Sequence, residues 1–193
     1  MLTGLKQIGV IGAIRFFFTT WLDLVYRLLP FPQLRVIYLR LCGAHIGKGT
    51  IICRGVRFLN LYRTGYRGLS IGNFCWIGEE AMFDLADKID IGDHVTIGQR
   101  AMILTHLNVG YHAHPLQKHF PSHQKSVKIE SGVFLGPYAL VLAGVRIGKE
   151  SFIMAQSLVS QNIRSGVYYS MQGKPRSVPT TFFSGDPDDS ENT

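Results

Sequence analysis

Residues 129–164 read IESGVF LGPYAL VLAGVR IGKESF IMAQSL VSQNIR, and the repeat in this segment predicts the fold of the chain. An aliphatic residue begins each group of six, at Ile129, Leu135, Val141, Ile147, Ile153 and Val159. A small or β-branched residue usually follows four places later, and glycine recurs directly after the aliphatic residue. A six-residue period does not match the 3.6-residue turn of an α-helix, so the stretch is not an amphipathic helix.

The same unit occurs earlier in the chain, in three blocks of three. Its first residues there are Ile46, Ile52, Phe58, Ile71, Ile77, Phe83, Ile91, Ile97 and Ile103, which makes fifteen hexads in all. Because these starts are apolar by definition, the fifth position gives an independent check. It holds Ala, Cys, Ser, Thr or Val in eleven of the fifteen hexads, whereas those types make up 47 of the 193 residues. The excess shows that the repeat is real.

Each hexad suits a short extended segment followed by a bend. Aliphatic and small side chains point inward, and glycine is expected to permit the turn. Three segments close one triangular coil, and successive coils pair through parallel strands about 4.8 Å apart. We therefore predict a mainly β fold, a parallel β-helix of about five triangular coils that is roughly 24 Å tall at that spacing.

The chain divides into three regions around this β-helix. Residues 1–45 are predicted to form a helical cap, 46–178 the β-helix with one long ejected loop at 109–128, and 179–193 a flexible acidic tail. The loop is polar, rich in histidine and free of the hexad rhythm. A long loop that leaves a regular repeat is more often functional than not.

The N-terminal region predicts two helices, at 5–29 and Leu34–Leu41, and Pro30 and Pro32 end the first of them. These helices could cap the open edge of the first coil or pack between subunits.

A membrane-interfacial role for residues 5–29 is also open, and it is compatible with capping. Lys6, Arg15 and Arg27 would then lie near lipid phosphates. The longest uncharged runs, 7–14 and 16–22, fall short of the roughly 20 residues that a membrane span needs.

Charge and cysteine content narrow the class of protein. The formal charge is +7, and it rises to +11 over residues 1–178 because the last fifteen residues hold four acids and no base. This surplus indicates an anionic partner, such as cofactor phosphates or an acidic membrane face. The bases are dispersed and no nucleic-acid motif is present, so no nucleic acid is expected. Three cysteines argue against a disulfide framework and favour a reducing compartment, hence a cytoplasmic location. Association with the cytoplasmic face of a membrane stays open.

Three local motifs resemble those of the hexapeptide-repeat acyltransferases, in particular the galactoside, maltose and colanic-acid O-acetyltransferase group. The motifs are Phe83-Asp84-Leu85 before Ile91-Gly92-Asp93, Ile97-Gly98 before Ile103-Leu104-Thr105-His106, and Val133-Phe134-Leu135-Gly136 before Ala143-Gly144-Val145-Arg146-Ile147-Gly148. The resemblance covers residues 46–178. It implies a left-handed β-helix, a homotrimer with active sites between subunits, acetyl-CoA as acyl donor and a saccharide or glycan-precursor hydroxyl as acceptor.

His106 is the candidate general base, because the resemblance places the catalytic histidine at this Thr-His position. A neutral imidazole suits proton transfer at neutral pH. His114, which precedes Pro115, is the competing candidate. Asp84 lies 22 residues before His106 and is expected either to orient the imidazole, as in a His–Asp pair, or to contact the acceptor. His112 and His114 are further candidates for substrate binding.

The resemblance also gives candidate donor-binding residues. They are Pro137, Ala143, Ala155, Ser160 and Gln161 on the late hexads, with Lys174 and Arg176 positioned to meet phosphate. Gln161 stands where the family often has lysine, so an acyl group other than acetyl remains open.

Three other functions remain open from the sequence. One is N-acetyl transfer to an amino sugar, since oxygen and nitrogen acceptors need the same base. Another is a zinc hydratase of the carbonic-anhydrase type, for which the His-rich loop would supply ligands. The third is a non-catalytic scaffold. No metal is expected if the protein is an O-acetyltransferase, which is the favoured hypothesis.

Overall fold

The computed structural model of the protein describes residues 2–110, 114–170 and 176–177. The helices are α1 (Leu2–Arg27), α2 (Pro32–Leu41) and α3 (Leu61–Thr64), with 3-10 turns at Tyr66–Gly68 and Pro115–Lys118. The strands are β1 (His45–Ile46), β2 (Ile51–Ile52), β3 (Arg57–Leu59), β4 (Leu69–Ile71), β5 (Trp76–Ile77), β6 (Met82–Asp84), β7 (Ile89–Ile91), β8 (Thr96–Ile97), β9 (Met102–Ile103), β10 (His106–Leu107), β11 (His123–Gln124), β12 (Val127–Ile129), β13 (Phe134–Leu135), β14 (Leu140–Val141), β15 (Arg146–Ile147), β16 (Phe152–Ile153), β17 (Leu158–Val159), β18 (Val167–Tyr169) and β19 (Arg176–Ser177).

Three parallel sheets form the sides of a triangular prism. The first sheet has the order β1-β4-β7-β12-β15, the second β2-β5-β8-β13-β16-β18, and the third β3-β6-β9-β14-β17. Five complete coils result, as predicted. A partial sixth follows, because Ile163 bridges to Ile147 and β18 pairs with β16. The antiparallel strand β19 then joins the second sheet beside β18.

The core is a set of side-chain ladders that run up the inside of the prism. In the first sheet the register stacks isoleucine on isoleucine in all five coils, at Ile46, Ile71, Ile91, Ile129 and Ile147. Each of these side chains is buried. Burial of one such side chain contributes about 1.5–3 kcal/mol, so the repeat of six supplies the main stabilisation of the fold.

The turns are made at the fourth hexad position, which corrects the expectation that glycine after the aliphatic residue provides them. Positive φ occurs at that position in eleven hexads, at Gly49, Gly55, Phe74, Glu80, His94, Arg100, Gly132, Tyr138, Gly144, Glu150 and Gln156. The four exceptions all belong to the third sheet, and each precedes an insertion or an irregular connection.

Glycine at the second hexad position serves close stacking of the coils. A Cβ on Gly98 would lie 2.4 Å from the amide nitrogen of Pro137 in the next coil, and one on Gly136 would lie 2.4 Å from that of Ala155. No carbon atom fits at these distances, so a side chain there would force the coils apart.

The two N-terminal helices cover the open end of the first coil. The buried guanidinium of Arg35 donates to the carbonyl of Ile52 at 3.1 Å, and Arg40 donates to the carbonyls of Ile46 and Gly47 at 2.8 and 2.7 Å. These donors satisfy carbonyl groups at the open end of the prism, where no earlier coil supplies amide donors. Capping of the first coil is therefore a role that the helices perform.

Helix α1 is interrupted at Gly9, where φ is 68° and ψ is 168°. The part from Gly9 to Arg27 is 19 residues long, and a stretch of 18 residues within it has a mean hydropathy of 1.3 with 6% of its residues buried, so by length and composition it is able to cross a membrane. The uncharged runs 7–14 and 16–22 suggested a shorter apolar segment, because Arg15 and Asp23 interrupt an otherwise apolar helix.

Candidate active site

Three polar residues stack along one corner of the prism, where the strands of the third sheet end. Asn60 directly follows β3, Asp84 is the last residue of β6, and His106 follows β9 by three residues. Because β3 pairs with β6 and β6 with β9, the three residues come from successive coils. We call this column of three residues the polar corner.

The fully buried carboxylate of Asp84 holds the polar corner together. Its Oδ2 accepts hydrogen bonds from Nδ1 of His106 at 2.5 Å and from the amide of Thr105 at 2.9 Å. Its Oδ1 accepts from Nδ2 of Asn60 at 2.7 Å and from the amide of Ala86 at 3.3 Å. The pair with His106 forms within one chain. Since the Asp84 side chain has no exposed surface, the geometry favours an orienting role over the predicted contact with an acceptor.

The environment of Asp84 keeps it ionised. Burial alone would raise the pKa of the carboxyl group, but hydrogen bonds from Asn60, His106 and the Thr105 amide outweigh burial and lower the pKa below its usual value. A carboxylate that stays charged next to an imidazole stabilises the imidazolium form when the ring takes up a proton.

Nε2 of His106 is the nitrogen that is free to take a proton. The ionised carboxylate of Asp84 only accepts hydrogen bonds, so Nδ1 carries the ring hydrogen and Nε2 keeps its lone pair. The side chain is 31% exposed. Within residues 2–110 and 114–170, Nε2 has no hydrogen-bond partner. The ring is therefore held by a hydrogen bond at Nδ1 and is accessible at Nε2, which is the arrangement that a general base requires.

Backbone pairing fixes the position of the imidazole. Strand β10 pairs antiparallel with β11, which sets His106 opposite Gln124 at the base of the ejected loop. The buried hydroxyl of Thr105 donates to the carbonyl of Asp84 at 2.6 Å and accepts from the amide of Asp87 at 2.9 Å. Thr105 therefore ties the start of the loop to the coil below it.

Sequence reasoning found Asp84 and His106 but missed Asn60 and the hydrogen bonds of Thr105. The available signal was that Asn60, like Asp84, is a polar residue at the end of a third-sheet segment. Asn60 also has a positive φ of 52°, which an asparagine adopts more readily than most residues.

The other loop histidines do not join the polar corner. His114 is exposed, and its Nδ1 accepts from the amide of Leu116 at 3.2 Å at the start of the second 3-10 turn. His119 and His123 are also exposed. His112 lies outside the described residues. In the part of the chain that the structure describes, no three His, Cys, Asp or Glu side chains are grouped to hold a metal ion.

The candidate donor-binding residues fall on two different corners of the prism. Pro137 and Ala155 stack where the second sheet turns into the third. Ala143, Ser160 and Gln161 follow β14 and β17 at the end of the third sheet, on the same corner as His106 and one or two coils beyond it. Lys174 lies outside the described residues, and Arg176 is described only as part of β19.

Comparisons with known proteins agree with this architecture. The chain is 29% identical over 133 residues to WcaF of Escherichia coli K12, provisionally named a colanic acid biosynthesis acetyltransferase, with 69% of this chain and 68% of the relative covered. It is 42% identical over 89 residues to a galactoside O-acetyltransferase of Lactococcus lactis, with 43% and 40% covered. The chain is thus similar in sequence to these two acetyltransferases. No family model matches it.

A solved structure supports the same fold. A hexapeptide-repeat-containing acetyltransferase from Vibrio cholerae O1 biovar eltor, complexed with acetyl coenzyme A, superimposes with a TM-score of 0.69 at 20% identity, with 83% of this chain and 84% of that chain covered. The predicted left-handed parallel β-helix, with its N-terminal helical segment and ejected loop, is confirmed, and so is the resemblance to this acetyltransferase group.

Proposed function

We propose that the protein transfers an acetyl group from acetyl-CoA directly to a hydroxyl group of a saccharide or glycan precursor. The observation that carries the proposal is the polar corner, where a buried, ionised Asp84 holds a partly exposed His106 whose Nε2 has no hydrogen-bond partner among the described residues. The enzyme class is supported by the relatives, both of which are named acetyltransferases.

In the proposed reaction, Nε2 of His106 takes the proton of the acceptor hydroxyl as that oxygen attacks the thioester carbonyl. The tetrahedral intermediate collapses, the carbon–sulfur bond breaks, and the leaving thiolate recovers the proton from the imidazolium ring. Asp84 stabilises the imidazolium in between. No acyl-enzyme forms if both substrates are bound together.

The donor is proposed to lie along the late coils between two subunits of a homotrimer. Ala143, Ser160 and Gln161 share a corner with His106, whereas Pro137 and Ala155 lie on another corner of the same chain. The two groups can line one groove only if a corner of one subunit faces a different corner of its neighbour. Lys174 and Arg176 would meet the phosphates of the donor.

The acceptor class rests on the relatives' names, which refer to a galactoside and to colanic acid biosynthesis. A hydroxyl acceptor is proposed over the amine of an amino sugar on the same ground. His112 and His114 on the ejected loop would contact the acceptor. We further propose a cytoplasmic location, where acetyl-CoA is available.

The test is thiol release from acetyl-CoA with a panel of saccharides and amino sugars, for the wild type, His106→Ala and His119→Ala. His119→Ala is the matched control, because His119 is an exposed histidine of the same loop to which no role in the reaction is assigned. We expect loss of at least about a hundredfold in kcat for His106→Ala, the lower end of what a general base contributes, and a small change for His119→Ala. Full activity of His106→Ala, or acetylation of amino sugars alone, would contradict the proposal.

A further inference from the structure

One face of α1 is a continuous apolar stripe that nothing in the described chain covers. Its side chains are 43–78% exposed and follow the three- and four-residue spacing of a single helix face. They are Val10, Ile11, Ile14, Phe17, Phe18, Trp21, Leu24, Val25 and Leu28. No charged residue interrupts the stripe. Contiguous apolar surface of this extent marks an interaction site, whereas single exposed apolar residues do not.

The opposite face of α1 is fixed to the β-helix. Tyr26 is 2% exposed and packs edge-to-face on Phe58 at 5.2 Å between ring centroids. The hydroxyl of Tyr38 donates to the carbonyl of Leu22 at 2.8 Å, and Arg15 donates to the carbonyl of Arg63 at 2.8 Å. These contacts orient the stripe away from the folded body.

Helix α2 and the residue before it carry further exposed apolar side chains. Phe31, Leu34, Ile37 and Leu41 are 42–82% exposed, at the helical spacing of three or four residues. The end of the prism that the two helices cover therefore presents apolar side chains from both of them.

The charge of the chain is concentrated at the same end. Residues 1–78 contain ten of the twenty bases and one of the thirteen acids, Asp23, whereas the other 115 residues contain ten bases and twelve acids. Asp23 pairs with Arg27 within α1. The two helices, the first coil and two sides of the second coil, residues 1–78, thus combine an apolar surface with a net charge of +9.

This combination decides between two occupants of the stripe. A second copy that docked stripe to stripe would press two strongly basic ends against each other, and like charges oppose such contact. An anionic lipid bilayer offers acyl chains for the stripe and negative head groups for the bases. We propose that the stripe of α1, with the exposed face of α2, docks in the surface of an anionic lipid bilayer.

The helix lies in the plane of the membrane surface and does not span it. Nineteen residues would reach about 28 Å, close to the thickness of a hydrocarbon core of about 30 Å. Spanning, however, would pull Tyr26, Leu22 and Arg15 away from their partners on β3, α2 and α3, or draw the polar coils into lipid. Docking in the plane keeps these contacts and buries only the stripe. This inference is independent of the proposed acyl transfer.

The two tryptophans of the chain provide the test. Trp21 lies in the stripe and Trp76 lies in β5, and both are about half exposed. Trp76→Phe leaves Trp21 as the only tryptophan, and Trp21→Phe leaves Trp76. With vesicles of phosphatidylcholine and phosphatidylglycerol, we expect a blue shift of Trp21 emission and quenching by lipids brominated near the head groups, with Trp76 emission unchanged. Binding to pure phosphatidylcholine vesicles should be at least about tenfold weaker, because each base near an anionic surface contributes about 1 kcal/mol.

A matched pair of serine substitutions tests the stripe itself by vesicle flotation. Phe18 and Phe74 are 62% and 61% exposed, but only Phe18 belongs to the stripe. Phe18→Ser should weaken flotation with anionic vesicles and Phe74→Ser should not. Three results would overturn the inference: no flotation of the wild type, a concentration-dependent blue shift of Trp21 without lipid, which indicates a second copy, or strongest quenching from the bilayer centre, which indicates spanning. None of these assays uses acetyl-CoA, so their failure leaves the proposed function untouched.

Discussion

Replacing Asp84 with asparagine should abolish most of the activity while leaving the β-helix folded. Asparagine has the same size, but its NH₂ group must replace one of two oxygens that only accept hydrogen bonds. If it replaces Oδ2, it faces the Thr105 amide and Nδ1 of His106, so the imidazole must move its hydrogen to Nε2 and lose its basic lone pair. If the NH₂ group replaces Oδ1, Asn60 can rotate its amide so that its oxygen accepts a hydrogen bond from that group. The negative charge beside the imidazole ring is still lost.

The expected loss in kcat is about 10²–10⁴-fold, or about 3–5.5 kcal/mol at 1.36 kcal/mol per factor of ten. The upper bound is set by what a general base contributes, and an Asp-to-Asn change in a Ser-His-Asp triad reaches a loss of about 10⁴. The assay is thiol release from acetyl-CoA with an accepted saccharide, and a thermal melt confirms the fold.

Asp87→Asn is the matched control for this substitution. The Asp87 carboxylate accepts from the Lys88 amide at 2.7 Å and makes no contact with His106. We expect its kcat to stay within about threefold of the wild type, since no reacting group loses a partner. An Asp84→Asn enzyme with near wild-type kcat would refute the orienting role of Asp84.

Three further predictions concern stability. Because the pKa of Asp84 is lowered in the folded state, its ionised form stabilises the fold above the unfolded pKa of about 3.9, and this contribution is lost as the pH falls through the folded pKa. In urea titrations below pH 4, the wild type should therefore lose its greater free energy of unfolding relative to Asp84→Asn. A difference in free energy that stays constant with pH would contradict this. Gly98→Ala should lower the free energy of unfolding by about 1–3 kcal/mol or more, because its Cβ would lie 2.4 Å from the nitrogen of Pro137. An unchanged urea midpoint would contradict this, since it would mean that the two coils can move apart without cost. Arg35→Met should lower the free energy of unfolding by about 2–4 kcal/mol, because it leaves the carbonyls of Leu29, Pro30 and Ile52 without their donor. A melting temperature within about a degree of the wild type would contradict the capping role.

The sequence was sufficient for the fold because one period of six governs both the core and the stacking. The inward ladder and the small fifth position were both visible in the residues, and their order fixed the number of coils. The turn position was not predictable in this way. Phe74 and Arg100 adopt positive φ, which their residue types disfavour, because stacking between coils imposes the conformation.

The candidate site was predictable only in part, for a similar reason. His106 and Asp84 follow from motifs within single hexads and from the resemblance that those motifs carry. The contact of Asn60 with Asp84 depends on how the α3 insertion leaves the first coil, and no local pattern records that path. The role of the apolar residues of α1 was ambiguous in the sequence, because such residues suit both a cap and a membrane surface. In the structure these residues divide into a face that packs on the folded body and a face that is exposed.

The role of His106 as general base can be tested with a crystal structure of the protein that has coenzyme A and an accepted saccharide bound together. The distance to measure is the one from Nε2 of His106 to the reacting hydroxyl oxygen. We predict a hydrogen-bond distance of about 2.6–3.2 Å, with the sulfur of coenzyme A at the same corner. A saccharide hydroxyl beyond reach of His106, or a sulfur bound at a corner without His106 from either subunit, would contradict it.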